Sequence, residues 1–101
     1  MAAAYLIANL RVTDPERFDR YRQQVSPMIA RFGGRYLVRG GKVEAVEGNP
    51  GLHRLVVLEF PSMERLRAFY GSAEYAPLLA LRGACTVSDV AFVEGYDAPP
   101  G

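Results

Sequence analysis

Leu55-Val56-Val57-Leu58-Glu59-Phe60 is the stretch on which the fold of this chain turns. It is apolar except for Glu59 and ends at Pro61, so it reads as a strand. Side chains on a strand alternate sides, which sends Leu55, Val57 and Glu59 one way and Val56, Leu58 and Phe60 the other. A sheet covered on one face only would alternate apolar and polar residues. This stretch does not, and neither does Tyr5-Leu6-Ile7-Ala8-Asn9-Leu10. Both strands ask for cover on two faces.

Working outward, residues 4–12 form a first strand and the next stretch opens a helix. Thr13 with Glu16 matches a capping box, and Pro15 suits the first turn, where its missing N–H costs nothing. Phe18, Tyr21, Val25, Met28, Ile29 and Phe32 then recur at steps that put one apolar stripe on a helix, which Pro27 should kink or interrupt. Gly33-Gly34 ends it. Residues 35–39 and 42–46 flank Gly40-Gly41, a link that suits a tight hairpin, and Gly48-Asn49-Pro50-Gly51 is a looser turn. Beyond Pro61, Ser62 caps a short helix carrying Leu66, Phe69 and Tyr70. Gly71 breaks that helix, and Ser72 caps another with Tyr75, Leu78, Leu79 and Arg82 on its stripe. Residues 87–96 form a last strand, and 97–101 read as a flexible tail. The order is β-α-β-β-α-β: an α+β domain over residues 1–96, with an antiparallel sheet. One long helix and two short ones cannot cover both faces of such a sheet. The second apolar face therefore calls for another copy of the chain, in a closed twofold homodimer.

The 101 residues leave room for one core. Net charge is +1, which argues against general nucleic-acid binding and gives no reason to expect attraction to an anionic membrane. Cys85 is the single cysteine, so neither an internal disulfide nor a cysteine metal cluster is available. The first residues lack a secretory pattern and the apolar run there is too short to span a bilayer, so a cytoplasmic location is the expectation.

Several phrases resemble the family called domain of unknown function 1330. They are Tyr5-Leu6-Ile7, Val12-Thr13-Asp14-Pro15-Glu16, the run from Gly33 to Gly41 (Gly-Gly-Arg-Tyr-Leu-Val-Arg-Gly-Gly) and Leu58-Glu59-Phe60-Pro61-Ser62. Ala68-Phe69-Tyr70, Ser72, Glu74-Tyr75, Leu78 and Arg82 continue the likeness, which runs from about residue 4 to residue 96. The family resembles the dimeric α/β-barrel proteins, in which two ferredoxin-like chains pack sheet against sheet. That resemblance implies the dimeric ferredoxin-like architecture but no activity. Proteins sharing the barrel include cofactor-free monooxygenases, isomerases and haem-degrading enzymes, and fold alone does not transfer function.

No motif commits the chain to a reaction. His53, the only histidine, lies in the turn before the buried strand and reads as a solvated loop residue rather than a general base. Metal and haem sites lack ligands, and no cofactor is implied. Glu59 is the one charge in an apolar strand, and Arg82 lies on an apolar helical stripe; desolvation should drive the two to pair. Alternatively, the Arg82 guanidinium lines a pocket and meets a carboxylate or enolate. Arg39 lies at the hairpin edge, facing solvent, a partner chain or a pocket mouth. Asn9 interrupts the first strand on the side of Tyr5 and Ile7, where it either bonds a substrate oxygen or satisfies a neighbouring backbone group. Tyr21, Tyr70 and Tyr75 sit on inward stripes, as core or as cavity wall. The ligand-binding candidates are therefore Asn9, Arg39, Glu59, Tyr75 and Arg82, around an apolar pocket suited to a small apolar or aromatic ligand. As an enzyme, the chain would carry out cofactor-free oxygenation or isomerisation of an aromatic or enolisable compound. The alternative is a non-catalytic binding or interaction module on the same dimer.

Overall fold

The structure is a computed structural model and describes residues 2–97; apart from Asp97, the tail expected at 97–101 lies outside the described residues. Seven elements follow in order: β1 (Ala4–Val12), α1 (Pro15–Arg31), β2 (Arg35–Arg39), β3 (Arg54–Phe60), α2 (Met63–Tyr70), α3 (Ala76–Cys85) and β4 (Thr86–Glu94). The strands form one sheet in the order β2-β3-β1-β4, with every neighbouring pair antiparallel. With α2 and α3 filling the place of one helix, this is the ferredoxin-like β-α-β-β-α-β arrangement.

Local chemistry sets the helix ends. Asp14, not Thr13, caps α1: its side chain accepts from the Arg17 amide at 3.3 Å, and Pro15 follows as the first helical residue. The helix runs through Pro27. It ends in a Schellman closure, the Gly34 amide donating to the Ile29 carbonyl and the Gly33 amide to Ala30, with Gly33 at φ +86°. A Cβ on Gly34 would lie 2.7 Å from the Phe60 ring, so a glycine is required there for close approach. Ser62 caps α2 through the Arg65 amide, and the Ser72 hydroxyl accepts from the Tyr75 amide just ahead of α3.

All three helices pack on one face of the sheet. Ala4, Leu6, Ala8 and Leu10 of β1 and Leu58 and Phe60 of β3 are buried against Phe18, Tyr21, Val25 and Ile29 of α1, Leu66 and Phe69 of α2 and Leu78 of α3. Phe69 anchors an aromatic cluster, its ring 4.6 Å from Tyr75 and 5.4 Å from Phe60. The opposite face carries Ile7, Leu55 and Val57, all half-buried, with Val87 and Val93 exposed on β4. The chain spans only 16 Å along its shortest axis, one helix layer on one sheet. The two-faced reading of the central strands thus holds for direction. In the single chain, however, Leu58 and Phe60 are buried while Leu55 and Val57 are only partly covered.

The expected hairpin about Gly40-Gly41 does not form. Residues 42–46 carry no strand, and β2 pairs directly with β3 across an irregular loop of residues 40–53. Lys42, Glu44 and Glu47 make that segment a poor strand, and Gly48 and Gly51 at positive φ keep it turning. Asn9 fixes its far end, accepting from the His53 amide at 2.8 Å and donating to the Gly51 carbonyl at 3.0 Å.

Candidate functional site

A narrow cavity of about 40 Å³ lies between the helix face of the sheet and the helices above it. Its walls are mostly apolar, with Leu6, Leu10, Val25, Val56 and Leu58 among them. Polar groups gather at two ends, distinguished by burial.

At the buried end stand Tyr21 of α1, Tyr75 just before α3, and Arg82 on α3. Tyr75 is 1% exposed and Arg82 9%. One Arg82 Nη–H donates to the Tyr75 hydroxyl at 3.2 Å, the other to Tyr70 at 3.2 Å, and the Tyr75 and Tyr21 hydroxyls are 2.8 Å apart. Among the described residues no carboxylate lies within ion-pair distance of Arg82. The proton count is informative. Each phenol carries a single O–H, and the contact between the two oxygens uses only one of those protons. The other has no acceptor among the described residues. Burial, with each phenol beside another, pushes the Tyr21 hydroxyl well above the ordinary phenol range. Burial also raises Tyr75, against opposing hydrogen bonding from Tyr21 and the nearby Arg82 charge. Both therefore stay protonated at neutral pH as donors. Burial works against the Arg82 charge, yet the surrounding phenol oxygens, Tyr75 first, outweigh it and raise its pKa. The result is a buried cation with a spare hydroxyl beside it, facing apolar walls.

At the more open end are Arg22, Arg39 and Arg54. Arg39 is exposed and Arg22 and Arg54 half-buried. The guanidinium groups of Arg54 and Arg22 lie 5.0 and 5.7 Å from the centre of the same Phe18 ring, and that of Arg39 lies 4.8 Å from Tyr36. Arg39 reaches this side because of a bulge in β2. Tyr36 pairs with Leu58 and Arg39 with Val56, both on the helix face, while Val38 pairs with Val57 on the other.

Of the five ligand-binding candidates read from sequence, the structure brings Arg39, Tyr75 and Arg82 to this cavity, with Tyr21 as a further wall. Asn9 and Glu59 project from the opposite face of the sheet. Asn9 holds the 40–53 loop, the satisfied-backbone alternative. The expected Glu59–Arg82 pair is not formed. Glu59 instead accepts from Arg35 at 2.7 Å and from the Tyr5 hydroxyl at 3.1 Å. The reason is register: position 59 shares its side of β3 with 55 and 57, whereas the helices, and Arg82 with them, lie over 56, 58 and 60. His53 is exposed, 3.1 Å from an Arg11 nitrogen, and Cys85 is buried, its thiol pushed up by desolvation. Arg22, Tyr36 and Arg54 were missed, although Arg54 stands in register with Val56, Leu58 and Phe60, and Arg22 follows Phe18 by one helical turn.

The described residues contain no group of His, Cys, Asp or Glu able to hold a metal ion, and no helix long and apolar enough to cross a membrane. No curated protein matches the chain. Among solved structures, a protein of unknown function from Rhodopseudomonas palustris superposes with a TM-score of 0.76 at 14% identity, covering 96% of this chain and 85% of that one. SnoaB, a cofactor-independent oxygenase from Streptomyces nogalater, gives 0.62 at 12% identity over 100% of both chains. A dimeric ferredoxin-like protein of unknown function from Thermobifida fusca gives 0.61 at 13% identity, covering 92% of this chain and 91% of that one. At these identities the likeness is one of fold. The sequence model described as Domain of unknown function (DUF1330) matches residues 3–96, nearly the whole chain, and the protein is a member of that family.

Proposed function

We propose that this protein is a homodimer that binds a small aromatic or enolisable molecule in the cavity beside Arg82, holding it as its oxyanion. The observation that carries the reading is the buried guanidinium of Arg82, bonded to phenols and facing no carboxylate among the described residues, with an unclaimed hydroxyl proton next to it. In an apolar enclosure, preorganised donors of this kind favour a ligand that brings negative charge on oxygen. The enclosed volume exceeds the ~10–15 Å³ one water needs but falls short of the ~150 Å³ that holds benzene. The buried end thus takes the oxygen and its nearest carbons, and the rest of the ligand extends toward the arginine-lined mouth.

The same lining discriminates between reaction classes. Among the described residues it contains no carboxylate and no histidine, and burial holds the Tyr21 and Tyr75 phenols protonated. A proton-transferring isomerase would need a base there. Oxygenation of a substrate acidic enough to lose its proton to bulk water beside Arg82 would not, because the carbanion gives its electron pair to dioxygen, forming a C–O bond and a peroxide anion that takes a proton from water. We therefore favour cofactor-free oxygenation over isomerisation. The second reading, a non-catalytic binding module, is favoured by the narrowness of the cavity and by tyrosines that bond one another. A dioxygen electrode separates the two: oxygen uptake with a readily oxidised aromatic enol, lost in Arg82→Met, indicates the oxygenase, and binding without uptake the module.

The dimer in this reading rests on the uncovered apolar face of the sheet. A twofold partner laid on Ile7, Leu55, Val57 and Val93 would give the central strands their second layer. Light scattering at micromolar concentration should return twice the chain mass; a single-chain mass would refute it.

A further inference from the structure

The open end of the cavity holds three guanidinium groups, Arg22, Arg39 and Arg54, close enough to disturb one another. Burial lowers the Arg54 pKa, and the charges of Arg22 and Arg39 lower it further, with Asp19 alone opposing. Asp19 is already engaged by Arg22 at 2.7 Å. Three cations thus share one carboxylate among the described residues. Among the described residues, the Nε–H groups of Arg22 and Arg54 are sealed from solvent and have no acceptor. Buried donors are nearly always satisfied, so two orphans in one cluster of like charge mark a place where an acceptor is missing. The backbone is shaped to hold the cluster. Gly40 leaves β2 at φ +71°, and a Cβ there would fall 2.9 Å from the Arg54 guanidinium carbon. The β2 bulge turns Arg39 to the same side.

We propose that Arg22, Arg39 and Arg54 form an oxyanion site at the mouth of the cavity, so that the ligand carries a carboxylate or phosphate at the end remote from Arg82. Guanidinium forks match the paired oxygens of either group, and the apolar walls face the part of the ligand that reaches inward. The ligand is then a small amphipathic anion with two oxygen-bearing ends, the inner one enolisable or phenolic and the outer one permanently charged. This inference rests on the reading of the cavity as a binding site, and the experiment keeps the two apart.

Phenylacetate, phenyl phosphate and neutral benzyl alcohol are titrated calorimetrically into the wild-type protein and into Arg22→Met and Arg54→Met, which keep most of the apolar stem. At least one anion should bind about tenfold or more tightly than the alcohol. That preference should collapse in both variants and weaken with salt, and whichever anion binds tighter identifies the group. Arg54→Met should also raise the melting temperature of the unliganded protein, by relieving repulsion. If Arg54→Met fails to fold, Arg39→Gln at the exposed member carries the same comparison. Equal binding of anion and alcohol overturns the oxyanion site but leaves the cavity reading intact. Binding of none of the three overturns both. Variants that change dimer dissociation but not anion preference overturn the site too, because the missing acceptor would then be a carboxylate of a second copy.

Discussion

Replacing Arg82 by methionine separates a binding role from a structural one. The substitution keeps most of the aliphatic stem and removes the guanidinium. What is lost is a pair of hydrogen bonds, to Tyr75 and Tyr70, both at 3.2 Å and so at the long end of the normal range. Each contributes about 1.5 kcal/mol, the low end for bonds to a charged group. Tyr75 keeps its bond to Tyr21 at 2.8 Å, so its hydroxyl is not stranded. Against the loss stands the relief of removing a largely desolvated cation that has no carboxylate partner among the described residues. The net cost should therefore be about 1–2 kcal/mol or less, well below the ~3–5 kcal/mol of breaking a buried ion pair. Urea denaturation monitored by tyrosine fluorescence, at fixed protein concentration because a dimer would make the midpoint concentration-dependent, measures it. A cost above about 3 kcal/mol with ligand binding unchanged would refute the argument, since Arg82 would then be a structural group held by more than its two phenol bonds.

Other outcomes follow from the same geometry. Phe69→Ala, at 1% exposure amid Phe32, Phe60 and Tyr75, should cost about 3–5 kcal/mol in the same assay; a loss below 1 kcal/mol would contradict the aromatic core. Arg35, through its hydrogen bond, holds the Glu59 carboxyl below its usual value of 4.5 despite some desolvation. Its contribution to stability is therefore present above pH 4.5 and lost as pH falls through the lowered value, so Glu59→Gln should flatten the acid limb of the stability curve relative to wild type. Tyr21 and Tyr75 are raised above 10.0 chiefly by burial, so the stability tied to their protonated forms is complete below pH 10 and is lost at higher pH. Ultraviolet titration should find Tyr21 and Tyr75 ionising above the ordinary phenol value of 10.0, and ionisation of both at that value would contradict the buried phenol pair.

How far the sequence could be read depended on the range of the interactions involved. The strand at 4–12, the helix stripe of Phe18, Tyr21, Val25 and Ile29, the Ser62 cap and the opposed faces of residues 55–60 are local periodicities, and the structure reproduces them. What failed was non-local. The Gly40-Gly41 pair looked like a hairpin because turn chemistry is visible in a dipeptide, whereas the pairing of β2 with β3 across the 40–53 loop is not. Arg39 faces the cavity only because the strand slips by one residue at Leu37, a shift no alternation pattern reveals. On sequence alone, the rule that buried charges find partners pairs Glu59 with Arg82. The rule held for Glu59, whose partners Arg35 and Tyr5 lie on its own side of the sheet. The register that separates it from Arg82 was already legible in the alternation of β3, since the helices had to cover the side of Leu58 and Phe60. Tyr75 and Arg82 were recognised as neighbours on one stripe, but the hydroxyl of Tyr21 beside them is a contact between residues 54 apart.

The central claim, that the buried end of the cavity stabilises an oxyanion, is tested most directly by the ionisation of a bound phenol. 4-Nitrophenol absorbs visibly only as its phenolate, so absorbance reports its protonation state in the site. Titrated with protein at a pH where the free phenol is mostly neutral, it should bind and turn to phenolate, its pKa lowered by Arg82 and the unclaimed tyrosine proton. The shift should shrink in Tyr21→Phe and vanish in Arg82→Met. Phenol that binds in its neutral form with a raised pKa, or a shift of equal size in Arg82→Met, would contradict the account.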